Sequence, residues 1–439
     1  MGLFGILTAV VVLFALAYVG IPVIILSIIC TIIVALSNEM GVGTTLTEIF
    51  LPGAANSFQL IFIVGIFGAV IAEFYKASGG ATAIARSLLN ASKKIFKGSN
   101  SVVVPIVVIN VIGMILCYGG INGVIAIIIM MPIVLEIMKS YDMPRYLAAG
   151  IIMGATCTAA MTMPGSPQSQ NVIPGLYLGT SPVAGLIAGI IAGIIVVVLN
   201  IAIMTVLTKK AMKKGDHYEE YHQNATQGQE TQDHLPNVWI ALIPMVATFV
   251  LYVVVRVDIM VALGAGLILC FPCFWKQLRT FHNFCRVLTD GSMNSCGLLM
   301  VVCMLSGFGA VVAETDSFHT LCSYLTKIPG PATFKVLIAM AITVMVAGSG
   351  PAGEMAGVPM FSQVFGEMGV SAAAFHRIAA FTGTCLDTLP SNAGVNIASQ
   401  LSGYSVKETY KYCFLTSVLT TSVGAIVVTI LLTLFPNLP

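Results

Sequence analysis

Four short stretches of the chain place glycine, proline and polar side chains inside long apolar runs, at residues 117–123, 162–171, 348–354 and 387–396. The interior of a bilayer offers no water to backbone N–H and C=O groups, so an interrupted helix persists there only where it lines a cavity or binds a ligand. Exposed helix N-termini attract an anion, and freed carbonyl and side-chain oxygens suit Na⁺. We therefore interpret the four stretches as parts of one site for an anion and a cation.

The polar and glycine positions of these stretches are the predicted substrate-binding residues. They are Tyr118, Gly119, Gly120, Asn122, Gly123, Ser166, Gln168, Gln170, Asn171, Ser349, Gly350, Thr388, Ser391, Asn392 and Asn396. We expect the carboxylate of the substrate to lie among four of them, namely Asn122, Ser166, Ser349 and Asn392. The alternative for 162–171 is an ordinary extracellular loop between two spans.

Two acidic residues fall within these stretches, Glu354 and Asp387. Carboxylates at membrane depth are rare and costly, which makes both of them candidates for carrying a coupling proton. If the coupling ion is Na⁺, neutral oxygens complete its site and a carboxylate mainly raises the affinity. The structural alternative is that Asp387 caps a half-helix and Glu354 faces an outer vestibule. Arg377 begins an apolar run on the outer side, where it could draw anions inward, but the pattern favours a side chain snorkelling to the membrane interface.

The composition is that of a membrane protein. Of the 439 residues, 57% are hydrophobic and 9% are charged, the net charge is +2, and the mean hydropathy is +0.97. These values exclude a sizeable water-soluble domain and give no indication of nucleic-acid binding. No Gly-x-Ser-x-Gly, Walker A or His-Glu-x-x-His motif stands in a credible context, and we expect no metal centre and no cofactor other than the coupling ion. We therefore do not expect an enzyme.

Continuous apolar runs predict an all-α polytopic membrane protein with about ten spans. The predicted spans are 3–20, 21–37, 57–75, 145–162, 183–208, 237–256, 257–275, 295–314, 372–387 and 410–435. The stretches 101–139 and 333–366 are interrupted by glycine clusters, which predicts helical hairpins with tips at membrane depth or, alternatively, pairs of short full spans. Segments 145–180 and 372–406 are predicted to be broken helices.

An internal repeat relates the two halves of the chain. The sequence at 67–73 recurs at 308–314, and a glycine-rich tip and a Thr-x-Pro break follow each copy in the same order. Residues 1–208 and 237–439 are therefore predicted to be two copies of one unit. Each copy holds five crossings and one hairpin, and because five is odd the copies have opposite orientations. Inverted repeats are typical of alternating-access transporters.

The basic residues predict the orientation. One assignment of the loops collects 16 of the 20 lysines and arginines on a single side, which the positive-inside rule makes cytoplasmic. The polar linker 209–236 is then cytoplasmic, and both termini are expected on the periplasmic or extracellular side of the plasma (inner) membrane.

Residues 72–89, with a Ser-Gly-Gly sequence at 78–80 leading into a helix, and the proline-rich break at 162–174 resemble the gluconate permease family of the ion transporter superfamily. The resemblance implies a homodimer with a rigid scaffold and a mobile transport domain that moves as an elevator. It also implies import of gluconate-type hydroxy acids with protons. The family's glutamate at the first tip and histidine in the first break have no counterpart at 118–120 and 166–168. A smaller, hydroxybutyrate-type acid and Na⁺ coupling therefore stay open.

These observations predict a secondary active symporter of a small organic anion, coupled to H⁺ or Na⁺. The alternative is an ion or anion channel, because glycine-rich re-entrant loops also form selectivity filters. A channel of this kind usually assembles identical loops around an axis. Two non-identical sites in one chain favour a carrier.

Overall fold

The structure is a computed structural model, and it describes residues 2–19, 21–95, 101–219, 235–347, 349–390 and 392–438. All regular elements in these ranges are helices. In the first half they are α1 Gly2–Val19, α2 Val23–Ser37, α3 Val42–Ser78, α4 Gly80–Ile95, α5 Val103–Tyr118, α6 Gly123–Ser140, α7 Ala148–Thr156, α8 Ala159–Thr162, α9 Ser169–Leu178 and α10 Leu186–Lys213. In the second half they are α11 Val238–Val255, α12 Ile259–Leu278, α13 Phe281–Ala313, α14 Asp316–Lys327, α15 Ala332–Ala347, α16 Gly350–Glu367, α17 Ala372–Cys385, α18 Ala393–Ser402 and α19 Val406–Leu434.

Seven of the described helices are long and apolar enough to cross a membrane, namely α3, α6, α10, α11, α12, α13 and α19. Further apolar helices of 10 to 17 residues lie at Gly2–Leu13, Val23–Ser37, Val103–Tyr118 and Ala332–Met345. The chain is therefore an all-α, multi-pass membrane protein, which confirms the fold class read from the sequence.

The spans differ in detail from the predicted ones. The run at 57–75 lies inside a helix of 37 residues, and the run at 295–314, except for its last residue, lies inside a helix of 33 residues, because both helices begin well before the apolar stretch that marks them in the sequence. The span expected at 145–162 is interrupted at Thr158, whose backbone angles (φ −137°, ψ −121°) leave the helical region. The Thr158 hydroxyl donates to the Gly154 carbonyl oxygen at 2.7 Å, and Asn200 donates to the same oxygen at 3.1 Å. These bonds replace the lost helical one.

The order and lengths of the helices run parallel in the two halves. The paired helices around each glycine-rich tip have 16 and 18 residues in both halves, and the half-helices after the breaks, α9 and α18, have 10 residues each. Helix α9 packs on α16, and α18 packs on α6, so each half-helix contacts the second arm of the other half's hairpin. The inverted relation between the halves stays a prediction.

Two apolar cores hold these helices together, and each core draws on both halves. One is centred on α5, α6 and α7 and includes Val395 and Ala398 from α18. The other is centred on α15, α16 and α17 and includes Ile173 from α9 and Val196 from α10. The long helices α3 and α13 pack along each other, and both contribute buried residues to both cores. Neither hairpin is therefore buried by its own half alone.

The start of the predicted linker 209–236 is held against the loop between α6 and α7. The His217 ring lies 2.6 Å from Asp142, and the Tyr218 backbone N–H donates to the same carboxylate at 3.0 Å. These contacts hold the pKa of Asp142 below its usual range, with the Tyr218 N–H as the larger cause. The segment 220–234 lies outside the described residues, and the cytoplasmic side of the linker stays a prediction.

Labelling of introduced cysteines tests the orientation. We expect Lys214→Cys, next to the linker, to react with a membrane-impermeant maleimide only after spheroplasts are lysed, because the positive-inside assignment makes it cytoplasmic. Asn437→Cys, near the C-terminus, should react with intact spheroplasts. Both positions are exposed, and a Cys285→Ala parent removes the native thiol that is exposed among the described cysteines and measures background labelling. Reaction of Lys214→Cys in intact spheroplasts contradicts the assignment.

Candidate substrate and ion site

Side chains of the first break (residues 162–171) form hydrogen bonds with the first glycine-rich tip (residues 117–123). The buried Gln168 amide donates from Nε2 to the carbonyl oxygens of Cys117 at 2.8 Å and Ile121 at 2.9 Å, one on each side of the tip. In addition, the Tyr118 hydroxyl of the tip donates to the Pro164 carbonyl oxygen of the break at 3.1 Å. Tip and break therefore form one unit, and Gln168 bonds to carbonyls at the end of α5 and just beyond it.

The first break is closed by its own polar residues. The Ser166 hydroxyl donates to the Ala160 carbonyl oxygen at 2.8 Å, and the Asn171 amide donates to the Ser166 carbonyl oxygen at 2.9 Å. Gly165 has φ +80°, a left-handed conformation that favours glycine at this turn. Ser166 and Asn171 are fully buried. This segment is thus a folded interior structure at the start of α9.

Helix α17 of the second half completes the first break. Arg377 is fully buried and does not snorkel to an interface, so the expectation from the sequence is wrong. Its guanidinium donates to the carbonyl oxygens of Ala184 (Nε, 2.8 Å), Thr162 (Nη1, 2.6 Å) and Pro182 (Nη2, 3.3 Å) and to Asn171 Oδ1 (Nη1, 2.9 Å). These oxygens replace the solvation that an interfacial arginine obtains from water and lipid headgroups.

The neighbouring His376 is also fully buried and bonds to the same region. Its Nε2 lies 3.2 Å from Asn171 Oδ1, and its Nδ1 lies 2.6 Å from the Thr180 hydroxyl. The Asn171 side chain therefore contacts both α17 residues through its oxygen and the first break through its nitrogen. It joins the two halves of the chain at this point.

The second tip (residues 348–354) and the second break (residues 387–396) are in contact at Asp387. Its Oδ1 accepts the Gly350 backbone N–H at 2.8 Å and the Asn392 amide at 3.2 Å. Asp387 thus caps the N-terminus of α16 in the hairpin, while Asn392 caps α18 by accepting the Gly394 N–H at 2.7 Å. The expected capping role of Asp387 is observed on the hairpin helix and not on its own half-helix. Its side chain is only 8% exposed.

Glu354 lies in the first turns of α16 with its carboxyl group enclosed. It has no exposed surface, and neither Oε1 nor Oε2 has a hydrogen-bond partner among the described residues. The carboxyl group lies against Gly383 of α17, where a β-carbon would collide with Oε1. Asp387 is the nearby carboxylate whose charge acts on it. Glu354 therefore does not face an open vestibule in this conformation.

A network of buried hydroxyl groups borders the second break, which the sequence analysis did not identify. Thr388 donates to Ser417 of α19 at 2.6 Å, and Thr420 donates to Asn200 Oδ1 of α10 at 3.2 Å. Residues 414–419 form a π-helical turn, a feature often found at functional sites. The signal in the sequence is the Thr-Ser-x-x-Thr-Thr pattern at 416–421, inside a run treated as an ordinary span.

The other predicted residues occupy local positions. Asn122 caps α6 by accepting the Val124 N–H at 3.0 Å, and the Ser349 side chain forms no cap bond to α16. The remaining members are Gly119, whose α-carbon faces Met245, Gly120 with φ +91°, Gly123 against Met161, Gln170, which accepts from Ser169, and Asn396, which donates to Pro390 O and Asn392 O. Ser391 lies outside the described residues.

The structure joins each tip to the break of its own half, and it joins the first break to α17. It also brings Cys157, at the first interruption, within electrostatic reach of Asp387. The hydrogen bonds among described residues do not link the two tips directly. No predicted substrate residue lines the cavity of ≈700 Å³ between α3, α4, α6, α12 and α13, whose wall includes Lys76, Arg86, Glu136 and Arg286.

This chain is similar to known proteins both in sequence and in structure. No family model matches the chain. In sequence it is 23% identical over 460 residues to the uncharacterized transporter YxjC of Bacillus subtilis (strain 168), covering 94% of this chain and 95% of that protein. In structure it is similar to the YdaH transporter of Alcanivorax borkumensis, with a TM-score of 0.57 and 12% identity, over 88% of this chain and 87% of that one. The sequence relative supports a membrane transporter, and the structural likeness supports the fold. Neither names gluconate permease, which is not confirmed.

A double-mutant cycle tests the contact between Gly383 and Glu354. We expect Gly383→Ala to destabilise the protein by about 1–3 kcal/mol, because the added methyl group overlaps the Glu354 carboxyl group. In a Glu354→Ala background the same change should cost little, since the three atoms nearest to the added methyl group all belong to the Glu354 side chain. Thermal unfolding in detergent measures both.

The matched control is Gly366→Ala, also in a helix, where an added β-carbon has open space. It should leave the unfolding temperature near that of the wild type. Equal destabilisation by Gly383→Ala in both backgrounds contradicts the described position of the carboxyl group.

Proposed function

We propose that this chain is a secondary active transporter that carries a small organic anion together with H⁺ across the plasma membrane. The substrate class is a hydroxy-monocarboxylate of gluconate or hydroxybutyrate type, as the family resemblance implies. The observation that carries the proposal is the Glu354 carboxyl group, which is fully buried without a hydrogen-bond partner among the described residues. It lies beside Asp387 and an interrupted helix.

The environment of Glu354 supports H⁺ as the coupling ion. An ionised carboxylate without donors is costly in the interior of a membrane protein, and protonation removes that cost. Asp387 differs, because the Gly350 N–H and the Asn392 amide stabilise its charged form. Glu354 is therefore the proton carrier in this proposal, and Asp387 holds tip and break together. Access of Glu354 to water on alternate sides of the membrane would load and release the proton.

The anion would be held by the glycine-rich tips and the half-helix N-termini. Helices α6, α9, α16 and α18 all begin inside the tip and break regions, and their first amides carry partial positive charge. The residues proposed to contact the substrate or shape its site are those predicted from the sequence. We expect the substrate carboxylate among Asn122, Ser166, Ser349 and Asn392.

The closed interior supports a carrier over a channel. Ser166, Asn171, Glu354 and Asp387 are all buried. A carrier must expose such a site alternately, and movement of the hairpins and breaks as one body against α3 and α13 would do so, as in an elevator. The cavity of ≈700 Å³ would be a cytoplasmic vestibule, since its wall includes Lys76, Arg86 and Arg286, which lie in segments that the positive-inside assignment makes cytoplasmic. A homodimer joined through the scaffold helices completes the proposal.

Transport by proteoliposomes tests the coupling residue. Glu354→Gln should abolish accumulation of labelled 3-hydroxybutyrate or gluconate driven by a pH gradient, because an amide cannot release a proton. Exchange of internal for external substrate should remain, since it needs no net proton movement. The matched control is Glu367→Gln, an exposed glutamate on the same helix, which should accumulate substrate as the wild type does.

Two results count against the proposal. Accumulation by Glu354→Gln under a pH gradient, without Na⁺, assigns the proton elsewhere. Wild-type accumulation that follows a Na⁺ gradient and ignores a pH gradient replaces H⁺ by Na⁺ as the coupling ion.

A further inference from the structure

Arg377 is a buried charge whose bonding partners are all neutral. Its four hydrogen bonds go to three backbone carbonyls and the Asn171 side-chain amide oxygen. No ion pair among the described residues includes Arg377. A guanidinium keeps its charge in proteins, so this part of the molecule carries an uncompensated positive charge.

Such a charge is costly to bury. Neutral oxygens satisfy its N–H groups but do not neutralise it, and buried arginines in proteins are normally paired with an acid. The guanidinium has five N–H groups and forms four described hydrogen bonds, so one Nη2 N–H has no described acceptor. The bond from Nη2 to Pro182 is also the longest of the four. An anion bound at the break would supply the missing negative charge.

The position of Arg377 connects this charge to the predicted substrate residues. Its Nη1 bonds to Thr162, at the end of α8, and to Asn171, in the first turn of α9. The Tyr118 phenol of the first tip lies within electrostatic reach of it. Gly189 of α10 makes room for the side chain, because a β-carbon there would lie 2.9 Å from Arg377 Cδ. The charge is therefore held at the first break.

A purely structural role explains less of this arrangement. A neutral donor side chain of similar length, such as glutamine, would also bond to the carbonyls of the break without a charge to bury. The permanent charge adds one property, which is attraction of a negatively charged ligand. A structural staple predicts that neutral and ionised ligands lose affinity equally when Arg377 is replaced. A charge-balancing role predicts a loss for the ionised ligand alone.

We propose that Arg377 determines the specificity of the site for anions, by balancing the charge of the substrate carboxylate from its position in the first break. This inference rests on the proposed function and names the positive group that its anion site requires. Arg377 acts as a positioning residue: it orients the break through Thr162 and Asn171 and gives the adjacent amides a positive surrounding. Opposite charges are then separated in the molecule, with Arg377 at the first break and the acidic pair at the second.

Binding of ionised and neutral ligand pairs tests the inference. Purified full-length protein is titrated at pH 8 with D-gluconate and D-gluconamide, and with 3-hydroxybutyrate and 3-hydroxybutyramide. Wild type should prefer a carboxylate over its amide. In Arg377→Gln that preference should fall by at least about tenfold, because the affinity for the carboxylate drops while that for the amide changes little. Arg377→Lys keeps the charge and should keep most of the preference.

The matched control is His376→Gln. His376 is as buried as Arg377 and also contacts Asn171, but an imidazole ring, unlike a guanidinium, carries no permanent charge. It should alter the affinities of carboxylate and amide in parallel and leave their ratio unchanged. If Arg377→Gln yields no folded protein, Arg377→Lys decides the matter alone, since loss of the preference in folded Arg377→Lys overturns the inference.

Other results also distinguish the proposals. Folded Arg377→Gln that retains the wild-type preference overturns the role of Arg377 while leaving the proposed transport of an anion intact. Wild type that binds each amide as tightly as its carboxylate contradicts the anionic substrate itself, and with it both proposals.

Discussion

Helices that stop inside the protein leave backbone amides and carbonyls that need partners, and water is not there to supply them. The described residues meet this need with a few long polar side chains. Gln168 binds both sides of the first tip, Arg377 binds carbonyls around the first break, and Asp387 accepts an amide of the second tip. Because each of these side chains bonds to another element, every break also connects two parts of the fold. Tips and breaks therefore form connected bodies.

The two breaks carry groups of opposite charge. The first holds a guanidinium among neutral oxygens, whereas the second holds Asp387 and the unpartnered Glu354. In a symmetric repeat these sites would be alike, so the difference lies in side chains and not in helix order. A cation-coupled carrier of anions needs such a difference, because it must bind one ligand of each sign. Gly383 contributes by leaving space for the Glu354 carboxyl group where any other residue would place a β-carbon.

The all-helical membrane architecture could be predicted from the sequence, because apolar runs without charges have few other folds available. The glycines and prolines near 118–123 and 163–168 also indicated where helices are interrupted. Arg377 could not be placed, since its solvation comes from carbonyls distant in sequence, at Ala184 and Pro182. The interruption at Thr158 likewise depends on Asn200, which a local pattern does not reveal. Tertiary hydrogen bonds, absent from any local window, decide these positions.

The most direct measurement is a cryo-electron-microscopy map of the full-length protein in lipid nanodiscs with saturating D-gluconate or 3-hydroxybutyrate. We predict ligand density at the interrupted helices, in contact with the first break and the second tip, with its carboxylate on the side of Arg377. Density confined to the cavity of ≈700 Å³ beside Arg86 and Glu136, without contact to either break, would contradict the central claim that the broken helices form the substrate site.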